Sequence, residues 1–402
     1  MRRAIVRLRL SMSACVLTAR ILQGCTLGSP RETREAPSFA AHNPKERAKR
    51  NQPTTDNARS ATMSFLIYGA NGYTGELIAR EAVRRGLRPI IAGRNAEKIE
   101  ALGRELDLEW RAFPLTAPQL DGVDAVLHCA GPFVHTSAPM VRACLDAGVH
   151  YLDITGEIAV FESIMAMNDL AVQRGVTLIP GVGFDVVPTD CLAAMLAAKL
   201  PTATELELAF YSPKAELSRG TLKTMIESIG EGGAIRRDGK IVRVPPAYAT
   251  REIPFSLGPR MAMTIPWGDV STAFHSTGIP NIRVYTGASP KSIARMRRIR
   301  SFLPLLGIKP VKRLLQSFAS RRSGPSETKR AAGRTYLWGR AAGGTNEVTM
   351  TMTTPEGYAF TVMSALAAVE RLLTSPRRPG SFTPSRFFGA EFVTAIEGVE
   401  LT

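Results

Sequence analysis

The sequence predicts an α/β architecture: an N-terminal Rossmann-type doubly wound parallel sheet followed by an α+β second domain. Three observations predict it. Apolar strand-like runs alternate with helical spacing from Met63 to about Ile179. The first strand and helix are joined by the glycine-rich stretch YGANGYTGEL, Tyr68 to Leu77. After about Asp185 the alternation gives way to strand-like and irregular sequence.

The run Phe65-Leu66-Ile67-Tyr68 reads as a buried strand, and Leu77 through Val83 as a helix ending at Gly86. Between them Gly69, Gly72 and Gly75 recur every three residues. Glycines there let the chain turn sharply. They also let a pyrophosphate reach the N–H groups at the helix N-terminus, where the dipole favours negative charge. The expected contacts in this loop are Gly69, Asn71, Gly72, Tyr73, Thr74 and Gly75.

Pro89-Ile90-Ile91-Ala92 is the second strand and Ala96 to Leu106 its helix. NAD sites usually end this strand with an Asp or Glu that holds the ribose 2′-hydroxyl. Here the chain reads Ala92-Gly93-Arg94-Asn95. A missing carboxylate beside a guanidinium suits a 2′-phosphate, so NADP is favoured over NAD, with Arg94 and Asn95 as contacts.

Leu108 to Phe113 and Ala125 to His128 are the next strands. Ligands in such folds lie beyond the carboxyl ends of the strands, so Ala130, Gly131 and Pro132 are expected to border the nicotinamide end. His128 reads as a packed residue of an apolar strand rather than a base. Ser137 is the expected N-cap of a helix running to Ala147, with Pro139 in its first turn. Strands His150 to Ile154 and Thr177 to Ile179 flank a helix from about Ile158 to Arg174.

Beyond Asp185, a helix is expected over Thr189 to Leu200 and a strand over Glu205 to Tyr211, then long irregular stretches. Thr335 to Arg340 and Glu347 to Thr353 resemble a hairpin joined across Gly343-Gly344, with Val348, Met350 and Met352 alternating with polar neighbours. Tyr358 to Leu373 reads as a late helix. The expected division is 1–62 outside the fold, 63–185 as the NADP-binding domain and 186–402 as a substrate or dimerisation domain. The C-terminal part packs back on the first domain, and a homodimer is one assembly this would allow.

Residues at or beyond strand ends are candidates for substrate contact: Phe133, Tyr151, Asp153, Glu157, Phe184 and Asp185, with Asp190 further along. Thr189 and Asp190 read equally well as helix caps, and Glu157 as a partner of its own helix N-terminus. No Tyr-x-x-x-Lys pair and no Gly-x-Ser-x-Gly elbow occurs, so no catalytic residue is singled out. A reductase does not require one, because the cofactor carries the hydride and the protein positions it.

The chain has 402 residues, 45% hydrophobic and 21% charged, enough for two folded domains. Its five cysteines show no CxxC pairing and no metal-ligand spacing with histidine, which argues against a metal site and fits a reducing cytoplasm. The net charge of +16 is local: +8 falls on residues 1–62 and +12 on 291–334, leaving −4 elsewhere. Charge so confined disfavours nucleic acid as partner. Residues 1–62 read as an Arg-rich targeting segment, or as sequence upstream of a true start at Met63.

GANGYTGE, AGRN, CAGPF, ACLDAGVHYLDITGE and GFDVVPTD together resemble the saccharopine dehydrogenase-like oxidoreductases, in the branch containing trans-acting enoyl reductases. IPWGDVSTAFHSTGIPNIRVY, TPEGYAFT and FTPSRFFGAEFV are similar to further segments of that branch. The resemblance implies a cofactor loop on Gly69 to Gly75, a 2′-phosphate contact on Arg94, and an NADPH-dependent reductase of a C=C or C=N bond. Val186 stands where the family often has serine. A catalytically silent NADP sensor or membrane-associated scaffold is the alternative.

In the basic segment, Ile293, Met296, Ile299 and Phe302 recur every three residues, Pro304 interrupts, and Val311, Leu314, Leu315 and Phe318 follow. Two surface helices with solvated basic faces would give this pattern. So would a docking face for an anionic membrane surface or an acidic acyl-carrier protein. The expected location is the cytoplasm or the membrane periphery.

Overall fold

In this computed structural model the described residues are 64–213, 215–300, 308–319 and 324–402. The expectations for residues 1–62 and for a start at Met63 lie outside them, as do Phe302 and Pro304.

Six of the seven strands of the first sheet come from the N-terminal half: β1 (Phe65–Tyr68), β2 (Ile90–Gly93), β3 (Trp110–Ala112), β4 (Ala125–His128), β5 (His150–Asp153) and β6 (Thr177–Ile179). They are parallel, in the order β6-β5-β4-β1-β2-β3. Ile67 pairs with Ile91 on one side and Leu127 on the other, and all three are fully buried. Strands buried on both faces are near-continuously apolar, as FLIY is and as AVLH is up to its terminal His128. The connections are α1 (Tyr73–Arg84), α2 (Ala96–Leu106), α3 (Phe133–Ala147), and the pair α4 (Ile158–Met165) and α5 (Asn168–Arg174). The strand order reverses between β1 and β4, so a crevice is expected beyond their carboxyl ends.

Two local expectations need correction. Ser137 is not an N-cap, because α3 begins at Phe133 and Pro139 sits inside the helix. The cap comes from Glu157, whose two oxygens accept the Phe133 and Val134 N–H groups at 2.8 and 2.7 Å. A partner so far along the chain is invisible to local spacing. The expected helix over 158–174 is broken at Ala166-Met167. A late strand stabilises the break: the Ser381 hydroxyl donates to Ile164 O, and Asn168 Oδ1 accepts the Ser381 N–H.

The second half opens with α6 (Val187–Lys199) and β7 (Glu205–Tyr211). The stretch expected to be irregular is in fact largely regular. It holds α7 (Arg219–Glu227), β8 (Gly233–Arg237), β9 (Lys240–Val244), β10 (Thr250–Phe255), β11 (Gly258–Thr264), α8 (Asp269–Thr277) and β12 (Asn281–Gly287). Pro254 opposite Pro259 weakens the strand signal of β10 and β11. Next come α9 (Pro290–Ile299), α10 (Lys309–Ala319), α11 (Glu327–Ala332), β13 (Arg334–Gly343), β14 (Asn346–Pro355) and α12 (Gly357–Thr374). The chain continues through β15 (Gly380–Ser381), α13 (Pro384–Phe388), a 3-10 turn over Ala390–Ala395 and β16 (Glu400–Leu401).

The second sheet is mixed, in the order β10-β11-β12-β7-β13-β14-β16, with β12 and β7 its parallel pair and the β8–β9 hairpin joined to β12. Helix α6 lies flush on it. A Cβ at Gly339 of β13 would come within 2.6 Å of Leu196 Cδ1. Buried side chains of α1, α6, α12 and both sheets share one core, and β15 adds to the first sheet beside β6.

Candidate cofactor and substrate site

The glycine loop has a separate reason for each glycine. Gly69 takes a φ of +86°, and its N–H donates to Ala92 O at 2.7 Å, turning the chain out of β1. Gly75 lets α1 press on the loop, since a Cβ there would lie 2.4 Å from Gly69 O. Gly72 is the N-cap, and no side chain caps the helix. Glu76, the acid of the first turn, is drawn into an ion pair with Arg80 at 2.9 Å. The first-turn N–H groups, those of Tyr73, Thr74 and Gly75, therefore keep their attraction for an anion, which fits a dinucleotide phosphate.

At the end of β2, a Cβ on Gly93 would meet Asn71 Oδ1 at 2.8 Å, so the Asn71 carboxamide lies over Gly93 beside Arg94. Arg94 is exposed and joins no ion pair among the described residues; its charge acts on the Tyr68 phenol. Asn95 differs from its expected role in part. Its Oδ1 caps α2 by accepting the Lys98 N–H at 2.9 Å.

Beyond β4, Ala130 packs against Gly69, and Gly131-Pro132 is a cis peptide leading into α3. The Thr136 hydroxyl donates to Ala130 O at 2.6 Å, holding this turn. His128 is fully buried among the rings of Tyr68, Phe133 and Tyr151. Burial pushes its imidazole down to about 3, so it stays neutral.

The six candidate substrate residues separate. Phe133 is buried with its edge on His128. Tyr151 is buried and donates its hydroxyl to Asp153 Oδ2 at 2.8 Å. Asp153 has no exposed surface and also accepts the Thr155 and Gly181 N–H groups at 3.0 and 2.8 Å. Burial still raises its carboxyl to about 6. The Asp153 bonds tie the end of β5 to the turns that follow β5 and β6, because an apolar interior tolerates a carboxylate only when its oxygens are bonded. Asp190 is likewise internal: it accepts the Ser276 hydroxyl and the Ser385 N–H, tying α6 to α8 and α13. It does not cap α6, whose N-cap is Val186.

Glu157, Phe184 and Asp185 remain at the carboxyl edge of the sheet. Glu157 is mostly buried with its carboxyl raised by desolvation, partly offset by the Phe133 and Val134 N–H groups. Phe184 is half-buried, edge-on to Phe210 and Phe360 at 5.9 and 6.0 Å, and Phe210 in turn meets Trp267 at 4.8 Å. Asp185 is half-buried and hydrogen-bonds to nothing among the described residues. Desolvation, helped by the charge of Glu157, pushes its carboxyl up to about 7.

Several neighbours went unassigned in the sequence. The Tyr358 hydroxyl accepts the Ser218 N–H at 2.7 Å and bonds the Thr221 hydroxyl at 2.8 Å. Its ring stands edge-on to Tyr73 at 5.1 Å, and its phenol feels the Asp185 charge. Thr224 of α7 lies beside Gly131 and Glu157. Tyr358 and Trp267 sit in TPEGYAFT and IPWGDV, stretches that carried the resemblance without a role.

Residues 65–179 match the family described as the saccharopine dehydrogenase NADP binding domain. The chain is 26% identical over 217 residues to the human saccharopine dehydrogenase-like oxidoreductase, covering 45% of this chain and 49% of the relative. It is 29% identical over 181 residues to a Mycobacterium tuberculosis protein whose name assigns it provisionally as a trans-acting enoyl reductase, covering 40% and 43%. The chain thus spans about half the length of the curated relatives it matches. Among solved structures, apo saccharopine dehydrogenase (L-Glu forming) from Saccharomyces cerevisiae aligns with a TM-score of 0.57 at 10% identity, covering 85% of this chain and 99% of that one. That likeness concerns the fold. The chain therefore shares the fold of that dehydrogenase, and its residues 65–179 are similar to an NADP-binding domain.

Proposed function

We propose that the protein is an NADPH-dependent reductase acting on a C=C bond of an apolar acyl-type substrate, or on a C=N bond, with Asp185 as proton donor. The observation that carries this reading is the Asp185 carboxyl, which has no hydrogen-bond partner among the described residues. It follows Phe184 at the carboxyl edge of the sheet, against Gly156, and burial, helped by the Glu157 charge, pushes it up to about 7. NADPH, when bound, supplies a hydride.

The residues of the chain divide the remaining work. The first turn of α1 holds the diphosphate, and Arg94 with Asn71 holds the 2′-phosphate end. Phe184, Phe210 and Trp267 exclude water and seat an apolar chain. Asp185 gives its proton to the carbon or nitrogen that does not receive the hydride, so hydride and proton together saturate the double bond. Glu157 anchors α3, and its charge keeps the Asp185 proton in place. An acceptor screen of enoyl thioesters and cyclic imines with NADPH tests the reading. Cofactor binding without consumption across the screen would support a silent sensor instead.

Selectivity has its own test. Arg94→Ala is expected to weaken NADPH binding by about 10- to 100-fold, as loss of a charge-assisted contact to phosphate does. NADH binding should change little. Equal losses for both cofactors in titrations would remove Arg94 from the 2′-phosphate.

An anionic membrane surface is the proposed partner of the basic segment. Helix α9 and Arg300 place Lys291, Arg295, Arg297, Arg298 and Arg300 at the surface with no acid among them, while Ile293 is buried. Ile308, before α10, is 51% exposed. Each cation near anionic lipid is worth about 1 kcal/mol. Phosphatidylserine vesicles should co-sediment the protein at low salt, and the Arg295→Glu/Arg298→Glu double variant should release it. Among the described residues no helix is long and apolar enough to cross a membrane.

A further inference from the structure

We propose that Arg330 is a further cofactor residue, which binds the dinucleotide diphosphate across the mouth of the glycine loop. The inference rests on the proposed function. Its first support is position. Tyr73 is the first residue of α1, directly after Gly72. Its hydroxyl donates to Pro325 O at 2.6 Å and accepts from Arg330 Nη1 at 2.9 Å. Arg330 Nη1 also donates to Pro325 O at 2.9 Å, and its guanidinium carbon lies 5.9 Å from the Tyr73 ring centre. A Cβ on Gly324 would come within 2.9 Å of the same ring. Thus α11, from the second half of the chain, is fastened to the residue that opens the phosphate-facing turn.

The second support is charge. Arg330 is half-buried, yet it joins no ion pair among the described residues. Glu356, whose charge it feels, spends its Oε2 capping α12 on the Tyr358 and Ala359 N–H groups at 2.9 and 3.1 Å. The arginines of α1 behave differently. Arg80 and Arg84 each meet a carboxylate within the helix. A partly desolvated guanidinium with no carboxylate partner is unfavourable unless an anion joins it. Two phosphates at the first turn of α1 would supply that anion, and among the described residues only Nη1 of Arg330 is engaged, which leaves Nε and Nη2 for them.

Three probes separate this role from the others: NADPH, ADP, which carries the diphosphate alone, and adenosine 2′-monophosphate, which carries the other phosphate alone. In Arg330→Gln, affinity for NADPH and ADP should fall by about 10-fold or more, with adenosine 2′-monophosphate unchanged. Arg94→Ala should show the reverse pattern between the two fragments. Tyr73→Phe, which removes the hydroxyl that orients Arg330, should weaken ADP by a smaller factor and serves if Arg330→Gln folds poorly. Unchanged ADP affinity in both variants, or an equal loss for all three probes, overturns the inference while leaving the reductase reading intact. Wild-type protein that binds no NADPH overturns that reading and the inference with it.

Discussion

Asp185→Asn is expected to lower kcat by about 10²- to 10⁴-fold, the usual worth of a positioned general acid, while making the protein more stable at alkaline pH. Both effects come from one carboxyl. In the unfolded chain an aspartate titrates near 3.9, and here the folded group titrates at about 7. Below about pH 4 both states are protonated. Between the two values the native state keeps a proton that the unfolded state has released, so stability falls as pH rises, and this group's destabilising effect levels off above about 7. Asparagine removes that slope. Allowing for partial exposure, the gain at pH 8 is about 1–2 kcal/mol. In the wild type kcat/KM should fall above pH about 7, where the donor has lost its proton, and the variant's residual rate should be flat there. Thermal melts at pH 5 and 8, with pH–rate profiles, check both halves. A variant that turns over normally would end the assignment of Asp185 as donor.

Gly75→Val is expected to weaken NADPH binding at least 100-fold and to cost about 1–3 kcal/mol of stability, the range for overpacking. A Cβ at this position meets Gly69 O at 2.4 Å and Ala70 Cα at 2.9 Å, and both are main-chain atoms that cannot swing aside. The loop must move off the helix, and the first-turn N–H groups lose their aim. Gly72→Ala makes a graded comparison. Its Cβ would lie 3.1 Å from Gly69 O, so affinity should drop with little change in melting temperature. Gly220→Ala in α7 is the control, because its nearest neighbour, Ser218 Oγ, is 3.7 Å away. Normal cofactor affinity in Gly75→Val would mean the diphosphate lies elsewhere.

The first sheet was legible because its central strands are mostly apolar runs and its helices carry a clear period. FLIY, AVLH and the helix over 96–106 needed no distant partner to be recognised. What escaped depends on residues far apart in sequence. The start of α3 is set by Glu157, and the break before α5 by Ser381 and Asn168. Spacing placed Asp153 and Asp185 alike beyond strand ends, yet one is enclosed by three donors and the other has none among the described residues. A carboxylate's surroundings, not its position on a strand, decide whether it titrates near neutrality. Tyr358, Thr224 and Arg330 reach the site from the second half of the chain, where weak strand patterns gave no topology to place them.

The pairing of β15 with β6 also bears on synthesis. The ribosome releases β6 long before Gly380 and Ser381 emerge to cover its outer side. Until then the nascent polypeptide offers an uncapped parallel edge, a template on which neighbouring polysomes can associate. Chaperone shielding during translation is therefore a demand written into the order of the strands.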